Sequence, residues 1–136
     1  MRKEKLEESL NEVLDEIDIS LKDIRGLTAH QRRLAFSLSL GATVLLELYL
    51  NRLSIIKEGS KINHTWFKKK KENVLEILQN QITSPTSSVS NIDVILDLII
   101  KIEEKRDDLA YGAPADEKVL QEKINLFFEL KGVVRC

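Results

Sequence analysis

Leu34-Ala35-Phe36-Ser37-Leu38-Ser39-Leu40-Gly41-Ala42-Thr43-Val44-Leu45-Leu46 is the longest apolar stretch of this 136-residue chain that carries no charge. A membrane-spanning helix needs about 20 mostly apolar residues. This run is shorter and includes Ser37, Ser39 and Thr43, so it reads as the buried helix of a globular fold. The pattern extends it to a helix from about Ala29 to Ile56, with Thr28 as a candidate N-cap. That helix is apolar around much of its circumference, which makes it the central one. Gly41 lies inside it and costs about 1 kcal/mol relative to Ala. Close approach of a neighbouring helix is the natural reason.

Working outward, residues 3–24 place Leu6, Leu10, Val13, Leu14, Ile17, Leu21 and Ile24 at steps of three and four, one stripe of an amphipathic helix. Gly26 is a plausible stop. After the break at Lys57-Glu58-Gly59-Ser60, a third helix is expected from about Thr65 to Asn80, with Phe67, Val74, Ile77 and Leu78 inward. Ser84-Pro85-Thr86-Ser87-Ser88 is the clearest loop. Ser90-Asn91-Ile92-Asp93 matches a capping box before a fourth helix to about Ala110, ended by Gly112 and Pro114. A fifth, from about Ala115 to Lys131, is expected to bury Leu120, Ile124, Phe127 and Phe128. The sum is an all-α, up-and-down bundle of about five helices in one domain, residues 1–136. Chain reversals are expected near Gly59 and Pro85.

Composition agrees. Hydrophobic residues are 43% and charged residues 32%, with five Gly and two Pro, enough to build a core and cover it. The net charge of −1 is unevenly spread. Residues 1–24 carry four basic and eight acidic side chains, and residues 57–72 carry six Lys and two Glu. That balance argues against a nucleic-acid coat protein and leaves a local phosphate contact open. The single cysteine, Cys136, permits no internal disulfide. With no apolar signal core at the N-terminus and no membrane span, the sequence reads as cytoplasmic. The two histidines and Cys136 are too scattered for a metal site, and no Gly-rich phosphate loop is present. No cofactor is expected.

On the fourth helix, Ile95, Ile99, Ile102, Arg106 and Leu109 fall within about 40° of one line. A guanidinium on an apolar stripe must find a carboxylate, a phosphate, water or a chain end. It either snorkels from the bundle's end or pairs with an internal acid, or it is held in a groove to meet a phosphate or a partner chain. Glu103, Glu104, Asp107 and Asp108 read as a solvated helix face.

Arg106-Asp107-Asp108-Leu109-Ala110-Tyr111-Gly112 resembles the signature segment of the HEPN superfamily (higher eukaryotes and prokaryotes nucleotide-binding). That signature is Arg, commonly Asn or Asp, a short apolar stretch, then His, often with Gly after it. The layout is similar too: a long central helix rich in Leu and Tyr, an extended connection, the motif helix and a short final helix. The resemblance covers about residues 30–131 and leaves the acidic first helix, 1–26, outside. It implies ligand-binding roles for Arg106, Asp107, Tyr111 and Gly112, a homodimer, and a nucleotidyltransferase or RNA or nucleotide partner. In active members the Arg and His form a metal-independent ribonuclease site. Here Tyr111 stands where the His would, and no His follows. With an ordinary pKa near 10, Tyr is a poor proton carrier at neutral pH, so the reading is a non-catalytic nucleotide, RNA or protein-binding module. The rivals are a residual ribonuclease in which Tyr111 or His64 replaces the missing His, and a plain interaction bundle.

The second candidate is Asn63-His64-Thr65-Trp66-Phe67-Lys68-Lys69-Lys70-Lys71. His64, Trp66 and Lys68 to Lys71 combine an aromatic stacking surface with positive charge, as single-strand binders do. The structural alternative seats Phe67 and Trp66 in the core and leaves the lysines as a solvated first turn, where they would oppose the helix dipole. Apolar residues off the main stripes, Leu46 and Leu50 on the second helix and Leu98 and Ile100 on the fourth, suggest a dimer face.

Overall fold

The computed structural model describes residues 2–135, so Cys136 lies outside the description. Among these residues there are six α-helices: α1 (Arg2–Lys22), α2 (Gln31–Arg52), α3 (Lys71–Gln79), α4 (Ile92–Glu103), α5 (Arg106–Tyr111) and α6 (Glu117–Val134). Short 3-10 turns fill Leu27–His30, His64–Lys68 and Thr86–Ser88. The fold is the expected all-α bundle. The only strand-like pairing among the described residues is one antiparallel bridge, Ile56 to Ile82, which ties the loop around Gly59 to the loop before Pro85.

α2 is the central helix. It packs against α1, α4, α5 and α6, and every residue from Gly41 to Leu50 is buried. Taken with the turn before it, Leu27–Arg52 is long and apolar enough to cross a membrane, but 78% of its most apolar window is covered by the rest of the fold. Gly41 has the packing role its position suggested. A Cβ there would lie 2.6 Å from Phe127 of α6 and 2.9 Å from Val13 of α1, so both helices cross α2 at the one residue with no side chain.

The acidic first helix packs within its own chain, burying Leu6, Leu10, Val13 and Ile17 on α2. Leu21 and Ile24 are not part of that seam: Leu21 is half exposed and Ile24 fully so. The helix stops at Lys22 because Asp23 accepts from the backbone N–H and guanidinium of Arg25 and hydrogen-bonds His30, turning the chain off the helical path. Leu46, Leu50 and Leu98 are buried and Ile100 packs on the core. The apolar surplus that suggested a dimer face is thus covered inside one chain. Phe128 is exposed, because α6 buries Leu120, Ile124, Phe127, Leu130 and Val134 as its stripe, and a residue next to Phe127 points about 100° away.

Two expected caps are built differently. Thr28 does not cap α2. Its N–H, the N–H of Leu27 and its own hydroxyl are all taken by the Glu117 carboxylate from the start of α6. Gly26 makes room: its φ is +91°, and a Cβ there would meet Glu117 Oε1 at 2.4 Å. Ser90 does not close a capping box either. Asn91 occupies the cap position in the left-handed region with no side-chain bond, and the Ser90 carbonyl instead accepts from the Tyr49 hydroxyl.

The Glu117 clasp has a pH signature. The N–H groups of Thr28 and Leu27 hold its carboxyl below the ordinary value of 4.5. A depressed folded-state value gives stabilisation that is complete above that ordinary value and fades as pH falls through the folded one. Glu117→Gln should therefore lower the melting temperature most at neutral pH, and the gap should narrow as pH falls below the ordinary carboxyl value and through the depressed folded one. A gap independent of pH would show that the carboxylate charge is not what holds the turn.

Candidate functional site

The fourth predicted helix is broken in two, and the break builds the site. Lys105 adopts φ 62°, ψ 18° between α4 and α5, an uncommon conformation for a residue with a side chain. The break frees carbonyls at the end of α4. The Lys123 ammonium of α6 donates to two of them, the carbonyls of Lys101 and Glu104, and burial there pushes its pKa down. The kink carries Arg106 off the apolar stripe to the first position of α5.

The third predicted helix is broken as well. Asn63 caps a 3-10 turn by accepting from the Thr65 N–H at 2.9 Å. Lys69 and Lys70 are extended, and only Lys71 begins α3. Lys68 and Lys69 thus lie ahead of the positive end of the α3 dipole, whereas Lys70 is the N-cap and Lys71 the first residue of the helix. Phe67 is buried and seats the turn in the core, with Trp66 half-buried beside it.

These two irregular segments face each other across a groove of about 380 Å³. Phe67 and Ile100 supply its apolar surface; Lys68, Lys69, Lys105 and Arg106 line it, as do Glu103, Glu104, Asp107 and Asp108. The two sequence candidates, nearly forty residues apart, touch here: Lys68 Nζ lies 2.9 Å from Asp107 Oδ2. That ammonium, with Arg106 adding to it, holds the Asp107 carboxyl below the usual range. Lys69 and Lys105 make no ion pair among the described residues.

Arg106 does not meet an internal acid. Its Nη1 donates to the exposed Asp107 at 3.0 Å, and its guanidinium lies over the Phe36 ring at 4.8 Å from the centroid. Its Nε is buried with no hydrogen-bond partner. Such orphaned donors are uncommon and ask for an explanation.

Glu103 is not part of a solvated face. It is 4% exposed, accepts from the Ser39 hydroxyl at 2.6 Å and is bonded to His64 Nδ1 at 2.8 Å. A carboxylate only accepts, so Nδ1 donates. Two signals for this were present in the sequence. Ser39 is a hydroxyl in an apolar run that needs a partner, and Glu103 follows Ile99 by one helical turn.

The remaining candidates separate. Lys71 is bound to Asp93 and Asp97 of α4, and Lys70 is exposed outside the groove. Tyr111 is 69% exposed and sits edge-on to Phe36, ring centroids 5.9 Å apart. Gly112 ends α5 with its N–H on the Asp108 carbonyl at 2.7 Å, and a Cβ there would meet that oxygen at 2.4 Å. Phe36 and Lys105 were not legible as site residues. Phe36 reads as core from its apolar run, and Lys105 as one more charge on a helix. Among the described residues, no three His, Cys, Asp or Glu side chains converge as metal ligands.

Comparison of the chain with family models, curated proteins and solved structures gave no match.

Proposed function

We propose that this chain is a non-catalytic, HEPN-like helical module that binds the phosphate of a nucleotide or RNA strand in the groove between Lys68–Lys69 and Lys105–Arg106. The observation that carries the reading is Arg106: a guanidinium lining an open groove, stacked on Phe36, with a buried donor left over. A phosphate offers acceptor oxygens where Asp107 now supplies one. Exposed ion pairs such as Lys68–Asp107 contribute little to stability, so an incoming phosphate displaces that carboxylate at small cost. The resemblance extends the proposal to a homodimer and to a nucleotidyltransferase partner.

The test is fluorescence anisotropy with a labelled single-stranded RNA oligonucleotide. Arg106→Ala should weaken binding at least tenfold and reduce the slope of log affinity against log salt by about 0.7. Asp107→Asn should tighten binding by freeing Lys68 and Arg106. Binding unchanged in both variants would remove the groove from consideration.

One observation favours a second reading. His64 is oriented by a buried carboxylate that also lines the groove, an arrangement suited to proton transfer. In the proposed function, metal-free RNA cleavage stays at background. Cleavage that disappears in both His64→Ala and Arg106→Ala would instead establish a ribonuclease.

A further inference from the structure

A second, smaller cavity of about 240 Å³ lies beyond α5, between the start of α2 and the Leu109–Pro114 segment. Arg32 is the only ionisable residue that lines it. The other polar side chains there are engaged. The Gln31 amide donates to the carbonyls of Leu109 and Ala113 and accepts from the Ala115 N–H, and the Thr28 hydroxyl is held by Ala115 and Glu117. Arg32 makes no hydrogen bond or ion pair among the described residues. Its guanidinium rests instead 5.7 Å from the Tyr111 centroid and 6.0 Å from that of Phe36.

The two cavities are joined by aromatic rings. Arg106 lines the first and covers Phe36; Phe36 meets Tyr111 edge-on; Arg32 covers Tyr111 and lines the second. Tyr111 is largely exposed although it is anchored on one side by Phe36 and Arg32. This order of cation, ring, ring, cation suits a chain that alternates phosphates and flat bases. Arginine and aromatic faces stack bases without regard to their sequence.

Resting on the groove reading above, we infer that Tyr111, Phe36 and Arg32 form a second subsite, in which an unpaired base stacks on Tyr111 and a neighbouring phosphate meets Arg32. The ligand is then a single-stranded nucleic acid that runs from the groove to the second cavity, rather than a lone nucleotide. A duplex keeps its bases stacked inside and does not offer a free face to Tyr111.

The experiment compares wild type with Tyr111→Leu, Tyr111→Phe and Arg32→Ala. The probes are adenosine monophosphate, a labelled single-stranded oligoadenylate about eight nucleotides long, within the usual range of such sites, and the same strand without bases. Tyr111 and Arg32 are exposed, so the variants should keep the wild-type circular dichroism. Tyr111→Leu should weaken oligoadenylate binding about tenfold, Tyr111→Phe should not, and the base-free strand should be insensitive to either. Arg32→Ala should weaken the strand and lower its salt slope. All three should bind the monophosphate as wild type does. Wild-type affinity of Tyr111→Leu and Arg32→Ala for oligoadenylate would overturn the subsite while leaving the groove intact. Failure of wild type to bind either the monophosphate or the strand would overturn both. Displacement of the strand by oligoglutamate at equal concentration would assign the surface to an acidic protein partner and overturn the inference.

Discussion

Gly41→Leu should yield no folded protein, and Gly41→Ala should lose about 1–2 kcal/mol of stability in urea denaturation. On helix propensity alone the Ala variant would gain about 1 kcal/mol, so the sign is the informative part. The Cβ of Ala would stand 2.6 Å from Phe127 and 2.9 Å from Val13. Neither neighbour has room to retreat: Phe127 is fully buried and Val13 nearly so. Moving one away from Gly41 drives it into the rest of a close-packed core. A second substitution separates clash from propensity. In Gly41→Ala, adding Phe127→Leu should cost less than it does in wild type, giving a favourable coupling between the two positions. A Gly41→Ala variant more stable than wild type would mean that α1 and α6 do not approach α2 as closely as described.

The second large effect is expected at the end of α1. Glu47 is 2% exposed on the central helix. It accepts from Arg2 Nε at 2.6 Å and from the Arg2 Nη2 at 2.9 Å, and its Oε1 also takes the Ile62 N–H at 3.2 Å. One carboxylate thus pins the first turn of the chain and the loop after α2 to the core. Arg2→Ala leaves that carboxylate buried without its counter-charge, and the loss should be about 3 kcal/mol. The Arg2 side chain is itself about half exposed, which places the expectation at the low end for buried pairs. Glu47→Gln keeps an acceptor for Ile62 and lets Arg2 turn to solvent, so it should cost less than Arg2→Ala. Urea midpoints in the opposite order would show that the pair is not what fixes α1.

Glu47 also shows where sequence reading runs out. A glutamate near the end of a long helix is ordinarily solvated, and nothing local marks it as buried. Its partner comes from the second residue of the chain, 45 positions away. Glu103 is the same case, bonded to Ser39 and His64. The break at Lys105 has the same origin. Periodicity carried one helix from Asn91 to Ala110 because Ile95, Ile99, Ile102 and Leu109 keep its phase. The donor that compensates the broken turn, Lys123, belongs to another helix.

The sequence alone determined the all-α fold, the central place of the helix that carries the Leu34–Leu46 run, the need for Gly41 and the buried stripes of α1, α3 and α6 in their main positions. It also singled out Arg106 and the Lys68–Lys71 segment. Those properties are local: periodicity, volume and charge act over one or two helical turns and are written in neighbouring residues. The tertiary structure alone decided that Lys68 and Asp107 meet, that Arg106 leaves the stripe for a groove over Phe36, and that Glu103 turns inward to His64. Those depend on which segments face each other across the bundle, and hydrogen bonds and ion pairs over distances near 3 Å form only once packing has brought them together.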